Sequence, residues 1–174
     1  TLTIDSDRPE FRINSGTLWD GNNLYGLYRE AYTPWEWQPE LREFALELGL
    51  GCFSSPFDMS SVAFLEATDF PAYKIASFEI VDLPLIRSVV RTGKPVIIST
   101  GMCLLAEIEE AFKTVLEEGG DKLAFLKCTS SYPSPPDEMN LRTMHDLNER
   151  FGVQIGLSDH TLGYTTSIAA VAMG

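Results

Sequence analysis

Residues 72–100 read AYKIASFEIVDLPLIRSVVRTGKPVIIST and show most clearly how this chain folds. It begins and ends with short apolar runs, residues 72–77 and 95–100, whose composition is typical of buried parallel strands. Asp82 is a candidate N-cap for a helix between them, and Pro84 is tolerated in a first helical turn. Apolar residues of that segment recur at helical spacing: Leu83, Ile86, Val89 and Val90. The stretch therefore predicts a strand, a helix and a second, parallel strand.

The same pattern recurs on both sides of this stretch. Three more runs resemble buried strands: residues 51–55, 123–129 and 153–158. Four more segments show helical spacing of apolar residues: 41–48, 104–115, 141–147 and 168–171. Gly49 and Gly119-Gly120 are candidate helix ends, and Asn140 is a candidate N-cap. The alternation predicts parallel strands joined by right-handed crossovers.

Two α/β folds fit this alternation, an open doubly wound sheet and a (β/α)8 TIM barrel. No GxGxxG or GxxxxGK[ST] sequence follows any of the runs, so the common nucleotide-binding sheets lose support. Five strand–helix units do not close a (β/α)8 barrel, which takes about 250 residues. The 174 residues are then an open sheet or an incomplete, central portion of a barrel. The irregular, polar residues 1–20, which begin with Thr and not Met, lead us to expect a preceding strand.

The charge balance excludes several classes of partner. The chain has 25 acidic and 13 basic residues and a net charge of −12, with no basic cluster. This argues against nucleic acid and anionic membranes as partners. No apolar run is long enough to span a bilayer. The three cysteines form no CxxC and are interpreted as buried, reduced thiols of a cytoplasmic protein.

Each predicted strand ends in hydroxyl residues. They are Ser54, Ser55, Ser77, Ser99, Thr100, Thr129, Ser130 and Ser158. In a parallel barrel all carboxyl ends of the strands meet at one face, where hydroxyls and helix N-termini suit phosphate or carboxylate oxygens. One such residue is explained by turn formation or capping alone, but five consecutive strands favour a shared ligand.

Charged residues accompany these hydroxyls. Lys74 lies inside an apolar run, where an ammonium needs a partner; it either binds an anion or forms a Schiff base. Lys74 and Ser77 have opposite parity along the strand, so both reach one site only if the strand ends or bulges between them. Glu79 could orient a sugar hydroxyl or act as an acid or base, with a solvated loop carboxylate as the alternative. For Lys127, the sequence does not decide between a role in the site and a structural role.

Three aromatic or imidazole side chains complete the candidates. Tyr132, before Pro133, either lines a pocket or packs its loop. His145 falls off the apolar stripe of its helix, and we expect it to be exposed. His160 directly follows a strand end. It has a functional role there, as a metal ligand or proton carrier, or it is a hydrogen-bonded structural residue.

The sequence resembles the sialic acid synthase family over nearly its whole length. Five motifs match in order and spacing: Phe53–Phe57, Ala72–Ser77, Ile98–Met102, Lys127–Pro133 and Gly156–Thr161. Three further segments look most like the pseudaminic acid synthase branch: Leu18–Asp20, Thr33–Trp37 and Ser77–Asp82.

The resemblance implies a transferase of carbohydrate biosynthesis, with flagellin glycosylation as one expected setting. It would condense phosphoenolpyruvate with an N-acetylated amino sugar, expected to be 2,4-diacetamido-2,4,6-trideoxy-L-altrose. The products would be phosphate and pseudaminic acid, a nine-carbon 2-keto sugar acid. N-acetylneuraminate and legionaminic acid synthases are the alternatives within the family.

The resemblance also assigns residues. Phosphoenolpyruvate would be held by Ser55, Lys74, Ser77, Ser99 and Ser158. Glu79 and Tyr132 would contact the sugar, and Thr129 and Ser130 are further substrate candidates. Ser130 stands where neuraminate synthases carry Asn, which leaves its role open. His160 would bind a divalent ion, expected to be Mn2+ with Mg2+ or Co2+ as alternatives.

The family has segments that these 174 residues do not include. We expect earlier strands, a later strand with a second metal histidine and a C-terminal antifreeze-like domain, and a homodimer when intact. The stretch alone is predicted to be inactive and poorly stable, since an open barrel exposes two sheet edges.

Three other interpretations stay open from the residues alone. One is a Schiff-base aldolase that uses Lys74 as nucleophile. Another is a related phosphoenolpyruvate-condensing barrel, which would need basic contacts for a sugar phosphate. The last is a binding or scaffold protein on a degenerate barrel.

Overall fold

The computed structural model describes residues 3–14, 16 and 19–174. Leu18, part of the motif at positions 18–20, lies outside the described residues. The chain divides into two compact units, residues 1–48 and 49–174. None of the described helices has the length and apolar character needed to cross a membrane.

The described part of the first unit contains two α-helices, α1 (Leu24–Ala31) and α2 (Trp37–Glu47). Asn23 caps α1, since its side-chain oxygen accepts a hydrogen bond of 2.7 Å from the backbone N–H of Gly26. Helix α2 confirms the helix predicted from the apolar residues at 41–48. Helix α1 has no counterpart among the predicted helices; Gly26, in its first turn, has a low helix propensity.

The second unit is built on a four-stranded parallel sheet in the order β1-β2-β3-β4. Its strands are β1 (Tyr73–Ile75), β2 (Val96–Ser99), β3 (Leu123–Cys128) and β4 (Gln154–Ser158). Its helices are α3 (Met59–Ala67), α4 (Leu83–Val90), α5 (Leu105–Glu117), α6 (Thr143–Phe151) and α7 (Thr165–Ala172). Each strand pairs with the next one along the chain, which is the winding of a barrel; a doubly wound sheet reverses its strand order.

The first predicted strand, residues 51–55, is wrong as a strand. The described chain forms there only one isolated parallel bridge, between Ser54 and Tyr73, and the Lys74 N–H donates to the Ser54 carbonyl at 3.0 Å. Pro56 follows directly and has no N–H to extend a ladder.

The core lies between one face of the sheet and its helices. Ile75, Ile98 and Phe125 are register neighbours and are fully buried. Phe125 packs edge-on against Phe151 of α6 at 5.4 Å between ring centroids, and Phe112 of α5 meets Phe151 at 5.1 Å. Such pairs are worth about 0.5–1.5 kcal/mol each beyond their buried area. Because strand side chains alternate, the residues between these face the other way.

The helix ends follow most of the predicted signals. Asp82 caps α4 by accepting the Leu85 N–H at 3.1 Å, with Pro84 in the first turn. Gly49 and Gly119 adopt the left-handed conformation, with φ of 71° and 77°. The predicted N-cap Asn140 is wrong. It adopts a φ of 44° and its amide donates to the Glu138 carbonyl at 2.9 Å, so it belongs to the preceding turn.

Candidate functional site

Four polar side chains share the sheet face opposite the core: Lys74, Ser99, Cys128 and Ser158. Lys74 is the register partner of Ile97, two residues before Ser99, and Ser99 pairs with Leu126, two residues before Cys128. Cys128 in turn pairs with Ser158. Partners in a parallel ladder and residues two apart in a strand point to the same face. The last residues of β2, β3 and β4 therefore lie side by side at the carboxyl edge of the sheet.

Ser77 reaches this edge despite its opposite parity. Strand β1 stops at Ile75, and a short 3-10 helix runs from Ser77 to Val81. The chain thus leaves the strand between Lys74 and Ser77, as the parity of the two residues requires. The buried Ser77 hydroxyl accepts a hydrogen bond of 3.1 Å from the Gly101 N–H.

Gly101 is the point where side chains from three elements converge. A Cβ at this position would lie 2.2 Å from the Ser130 hydroxyl, 2.9 Å from the Ser77 hydroxyl and 3.0 Å from the Cys128 sulfur. Sequence reasoning did not single out Gly101, and its only signal is a glycine placed directly after Ser99-Thr100 at a strand end. The structure brings Ser77 and Ser130 together only because this residue has no side chain.

Two buried polar atoms at the site have no hydrogen-bond partner among the described residues. They are the Ser99 hydroxyl, on a residue that is 2% exposed, and the Oε2 atom of Glu79. A buried polar atom without a partner costs about 1–3 kcal/mol. Such atoms usually have a ligand or water as partner, so both side chains are suited to hold a polar ligand.

Lys74 and Glu79 are half-buried groups of opposite charge that interact electrostatically. Burial lowers the pKa of Lys74, and the nearby Cys128 and Glu79 oppose this shift. Burial raises the pKa of Glu79, while its own backbone N–H and the Lys74 charge oppose the rise. The Lys74 ammonium donates to the Ile75 carbonyl at 3.0 Å. A cation with one neutral partner and a protonatable carboxylate can together bind an anion and exchange a proton.

His160 is held in one tautomer by the loop after β3. Its Nδ1 atom lies 2.9 Å from the Thr129 carbonyl oxygen, which can only accept, so Nδ1 carries the proton. Nε2 is then left with its lone pair. The Tyr132 ring packs on the imidazole with 4.2 Å between centroids. This arrangement suits His160 as a metal ligand or proton acceptor through Nε2.

The Thr129 carbonyl bonds to His160 at the site, but the Thr129 hydroxyl bonds to a residue of the core face. The hydroxyl accepts a hydrogen bond of 2.6 Å from the buried ammonium of Lys127, which has the parity of the core residue Phe125. Sequence reasoning missed Ser134, whose buried hydroxyl lies 3.0 Å from the Thr129 carbonyl and whose N–H donates to the His160 carbonyl at 2.8 Å. Its sequence signal is weak, because Ser is common in such loops.

The remaining predicted residues are less enclosed than Ser77 and Ser99. Ser55 is half-buried beside the Ser54 bridge, and Ser158 is half-buried at the end of β4. Tyr132 is 65% exposed. His145 is exposed as predicted and lies 3.2 Å from Glu149 on the same helix.

The thiols are only partly as predicted. All three are free, but Cys52 and Cys103 are half-buried and only Cys128 is buried. Cys103 follows the end of β2 and lies next to the site, where its sulfur donates to the Gly101 carbonyl at 3.1 Å. Burial, with Glu107 and Cys128 nearby, raises the pKa of Cys103 to about 11.

A metal ion would find one suitable nitrogen here. The free Nε2 of His160 fits one position of a divalent ion. In the described part of the chain, no three His, Cys, Asp or Glu residues are grouped to hold an ion. The remaining ligands would have to come from elsewhere in the protein.

Comparison with known proteins gives consistent results. The sequence model of the NeuB family matches residues 1–174. Pseudaminic acid synthase of Helicobacter pylori is 47% identical over 99% of the chain, and that of Campylobacter jejuni is 44% identical over 100%. The chain spans 51% and 50% of these relatives, about half their length. A solved spore coat polysaccharide biosynthesis protein from Bacillus subtilis matches with a TM-score of 0.80 and 34% identity, over 88% of this chain and 43% of that one. The four-stranded sheet is thus part of a TIM-type barrel, as predicted.

Proposed function

Because the chain belongs to the NeuB family, we propose that the whole protein is a transferase that condenses phosphoenolpyruvate with an N-acetylated amino sugar. The observation that carries this proposal is the convergence at one sheet edge of Lys74 with the hydroxyls of Ser77, Ser99 and Ser158. A cation surrounded by hydroxyls at the carboxyl edge of a parallel sheet suits a small phosphorylated carboxylate.

The sugar is proposed to be 2,4-diacetamido-2,4,6-trideoxy-L-altrose, which would yield pseudaminic acid. The names of the two bacterial relatives support this choice. The exposed Tyr132 and half-buried Glu79 would face the sugar. N-acetylneuraminate or legionaminic acid synthesis is the alternative within the family.

The reaction needs a nucleophilic carbon, an electrophilic carbon and a route for the phosphate to leave. The enol carbon of phosphoenolpyruvate attacks the aldehyde carbon of the open-chain sugar and forms the new C–C bond. Water then adds to the resulting oxocarbenium carbon, and the tetrahedral intermediate expels phosphate. Lys74 offsets the anionic charge throughout, and Ser55, Ser77, Ser99 and Ser158 fix its orientation.

Proton transfer is assigned to Glu79. Because burial raises its pKa, a larger fraction of this carboxyl stays protonated near neutral pH than in a solvated glutamate. Glu79 can therefore donate to the aldehyde oxygen as charge develops there, and then accept a proton from the attacking water.

A divalent ion, Mn2+ by preference and Mg2+ or Co2+ as alternatives, is proposed to be held in part by Nε2 of His160. When bound, it would supply Lewis-acid polarisation of the aldehyde. A homodimer and a cytoplasmic location remain further proposals for the whole protein.

The test is an assay of phosphate release by the full-length protein with phosphoenolpyruvate and Mn2+. The two sugars are 2,4-diacetamido-2,4,6-trideoxy-L-altrose and N-acetylmannosamine, each with and without EDTA. We expect metal-dependent turnover of the first sugar alone. Turnover of the second sugar would overturn the choice of branch. A protein that turns over neither sugar and binds neither phosphoenolpyruvate nor Mn2+ would overturn the proposal that it is an enzyme. Borohydride trapping of a carbonyl substrate on Lys74 would instead identify a Schiff-base aldolase.

A further inference from the structure

Lys127 is a buried cation that the proposed reaction does not use. It lies in β3 with 7% of its surface exposed, on the sheet face opposite Lys74, Ser99 and Cys128. Its ammonium donates to the Thr129 hydroxyl at 2.6 Å. In residues 3–14, 16 and 19–174, no carboxylate forms an ion pair with it.

A lysine in this place is costly to the fold. Transfer of an ammonium from water to an apolar interior is unfavourable unless charge or several hydrogen bonds compensate it. A methionine fills nearly the same volume without that cost. The position therefore favours an apolar residue for stability, and the presence of lysine points to another role.

Thr129 connects Lys127 to the site. Its hydroxyl binds Lys127 on one side of the sheet, and its carbonyl accepts the Nδ1–H of His160 at 2.9 Å on the other. The Ser134 hydroxyl lies 3.0 Å from the same carbonyl, and the Ser134 N–H donates to the His160 carbonyl. Lys127 thus anchors the residue that ties the loop after β3 to the loop after β4.

Thr129 follows the last residue of β3, so the sheet ladder no longer holds its peptide plane. The direction of its carbonyl is then set by the Ser134 and His160 groups that bond to it and by the side-chain anchor at its hydroxyl, which also donates to the Glu138 carbonyl at 3.4 Å. If that direction changed, the Nδ1 proton of His160 would lose its acceptor, and the two neutral tautomers would become closer in energy.

We propose that Lys127 is a positioning residue, which through Thr129 holds His160 as the Nδ1–H tautomer and presents Nε2 to the reaction site. The consequence for catalysis rests on the proposed function, but the tautomer itself does not.

The test uses full-length protein labelled with 15N-histidine, with the His160 signals assigned by their loss in His160→Gln. Lys127→Met and Thr129→Val remove the anchor. Thr129→Ser keeps the hydroxyl, and Lys122→Met removes an exposed lysine just before the same strand. At pH 8 the 15N shifts report which ring nitrogen carries the proton, and Mn2+ titration reports affinity.

We expect wild type, Thr129→Ser and Lys122→Met to show one Nδ1–H form. Lys127→Met and Thr129→Val should show a mixture of tautomers and bind Mn2+ about tenfold more weakly, as loss of an outer-shell partner does. An unchanged tautomer and affinity in Thr129→Val, or in a folded Lys127→Met, would overturn the proposal. If wild type binds neither Mn2+ nor phosphoenolpyruvate, the proposed function fails, while the tautomer comparison still decides the role of Lys127.

Discussion

Ser99 and Thr100 are adjacent at the end of β2, yet only one of their hydroxyls is bonded within the protein. The Thr100 hydroxyl donates to the Leu126 carbonyl at 3.1 Å. The Ser99 hydroxyl, on a residue that is also buried, has no partner among the described residues. Of two buried neighbouring hydroxyls, one therefore serves the fold and the other is available to a ligand.

This contrast predicts opposite effects of two conservative substitutions in the full-length protein. Ser99→Ala should keep or raise the melting temperature of the ligand-free protein, because it removes a buried hydroxyl without a partner. It should weaken phosphoenolpyruvate binding about tenfold or more, since a bond to a charged ligand is worth about 1.5–3 kcal/mol. Thr100→Val should lower stability by about 1 kcal/mol and spare affinity. Calorimetry of binding and thermal unfolding measure both quantities. The reverse result would mean that Ser99 is structural.

Gly101 should tolerate no side chain. A Cβ there would displace the Ser77 and Ser130 hydroxyls, and we expect Gly101→Ala to cost about 1–3 kcal/mol of stability and to weaken phosphoenolpyruvate binding at least tenfold. Gly120→Ala is the matched control, because its Cβ would meet Val115 and Val90 in the core, at 2.7 Å and 2.9 Å. It should lower the melting temperature without changing affinity. Equal affinity in both variants would exclude Gly101 from the site.

Lys74 should be dispensable for folding. Because burial lowers its pKa, the folded state disfavours the charged form, and Lys74→Met should keep or raise the melting temperature at pH 7. The same change should weaken phosphoenolpyruvate binding by about 30-fold or more, as loss of a charged contact of about 2 kcal/mol does. Lys122→Met is the exposed control. A large fall in stability with unchanged affinity would make Lys74 a structural residue.

Glu79 should make stability depend on pH. Its raised pKa means that the folded state binds the proton more tightly than the unfolded chain. That contribution is complete below the ordinary glutamate pKa of about 4.3 and is lost as pH rises through the higher folded value. Glu79→Gln has no such loss, so its melting temperature relative to wild type should rise between pH 4 and pH 8.

The same variant should lose activity. Without a titrating carboxyl, turnover should fall about 100-fold or more. Glu110→Gln, on the exposed side of α5, is the control for both measurements. A melting-temperature difference that does not vary with pH would show that Glu79 is solvated, the alternative considered for it from the sequence.

The sequence predicted the site in outline. Apolar runs place β1 to β4, and hydroxyls at their ends lie at one edge because parallel strands share direction. Local pattern failed at residues 51–55, where an apolar run without a second ladder partner forms only a bridge. Local pattern also could not show that the Thr129 hydroxyl, unlike those of its neighbours, bonds to Lys127 and not to the site. The side to which a hydroxyl points at a strand end does not follow from composition.

Local pattern in the sequence was enough to predict β1 to β4, the helices α2 and α4 to α7, and the shared direction of the strands, because these follow from short-range periodicity and capping; it missed α1 and α3. Which of the predicted residues meet depends on the tertiary structure. The approach of the Ser77 and Ser130 hydroxyls to Gly101, the unpaired hydroxyl of Ser99 and the tautomer of His160 all depend on distances between segments far apart in the chain. Those distances are set by register and packing, which no local pattern of residues encodes.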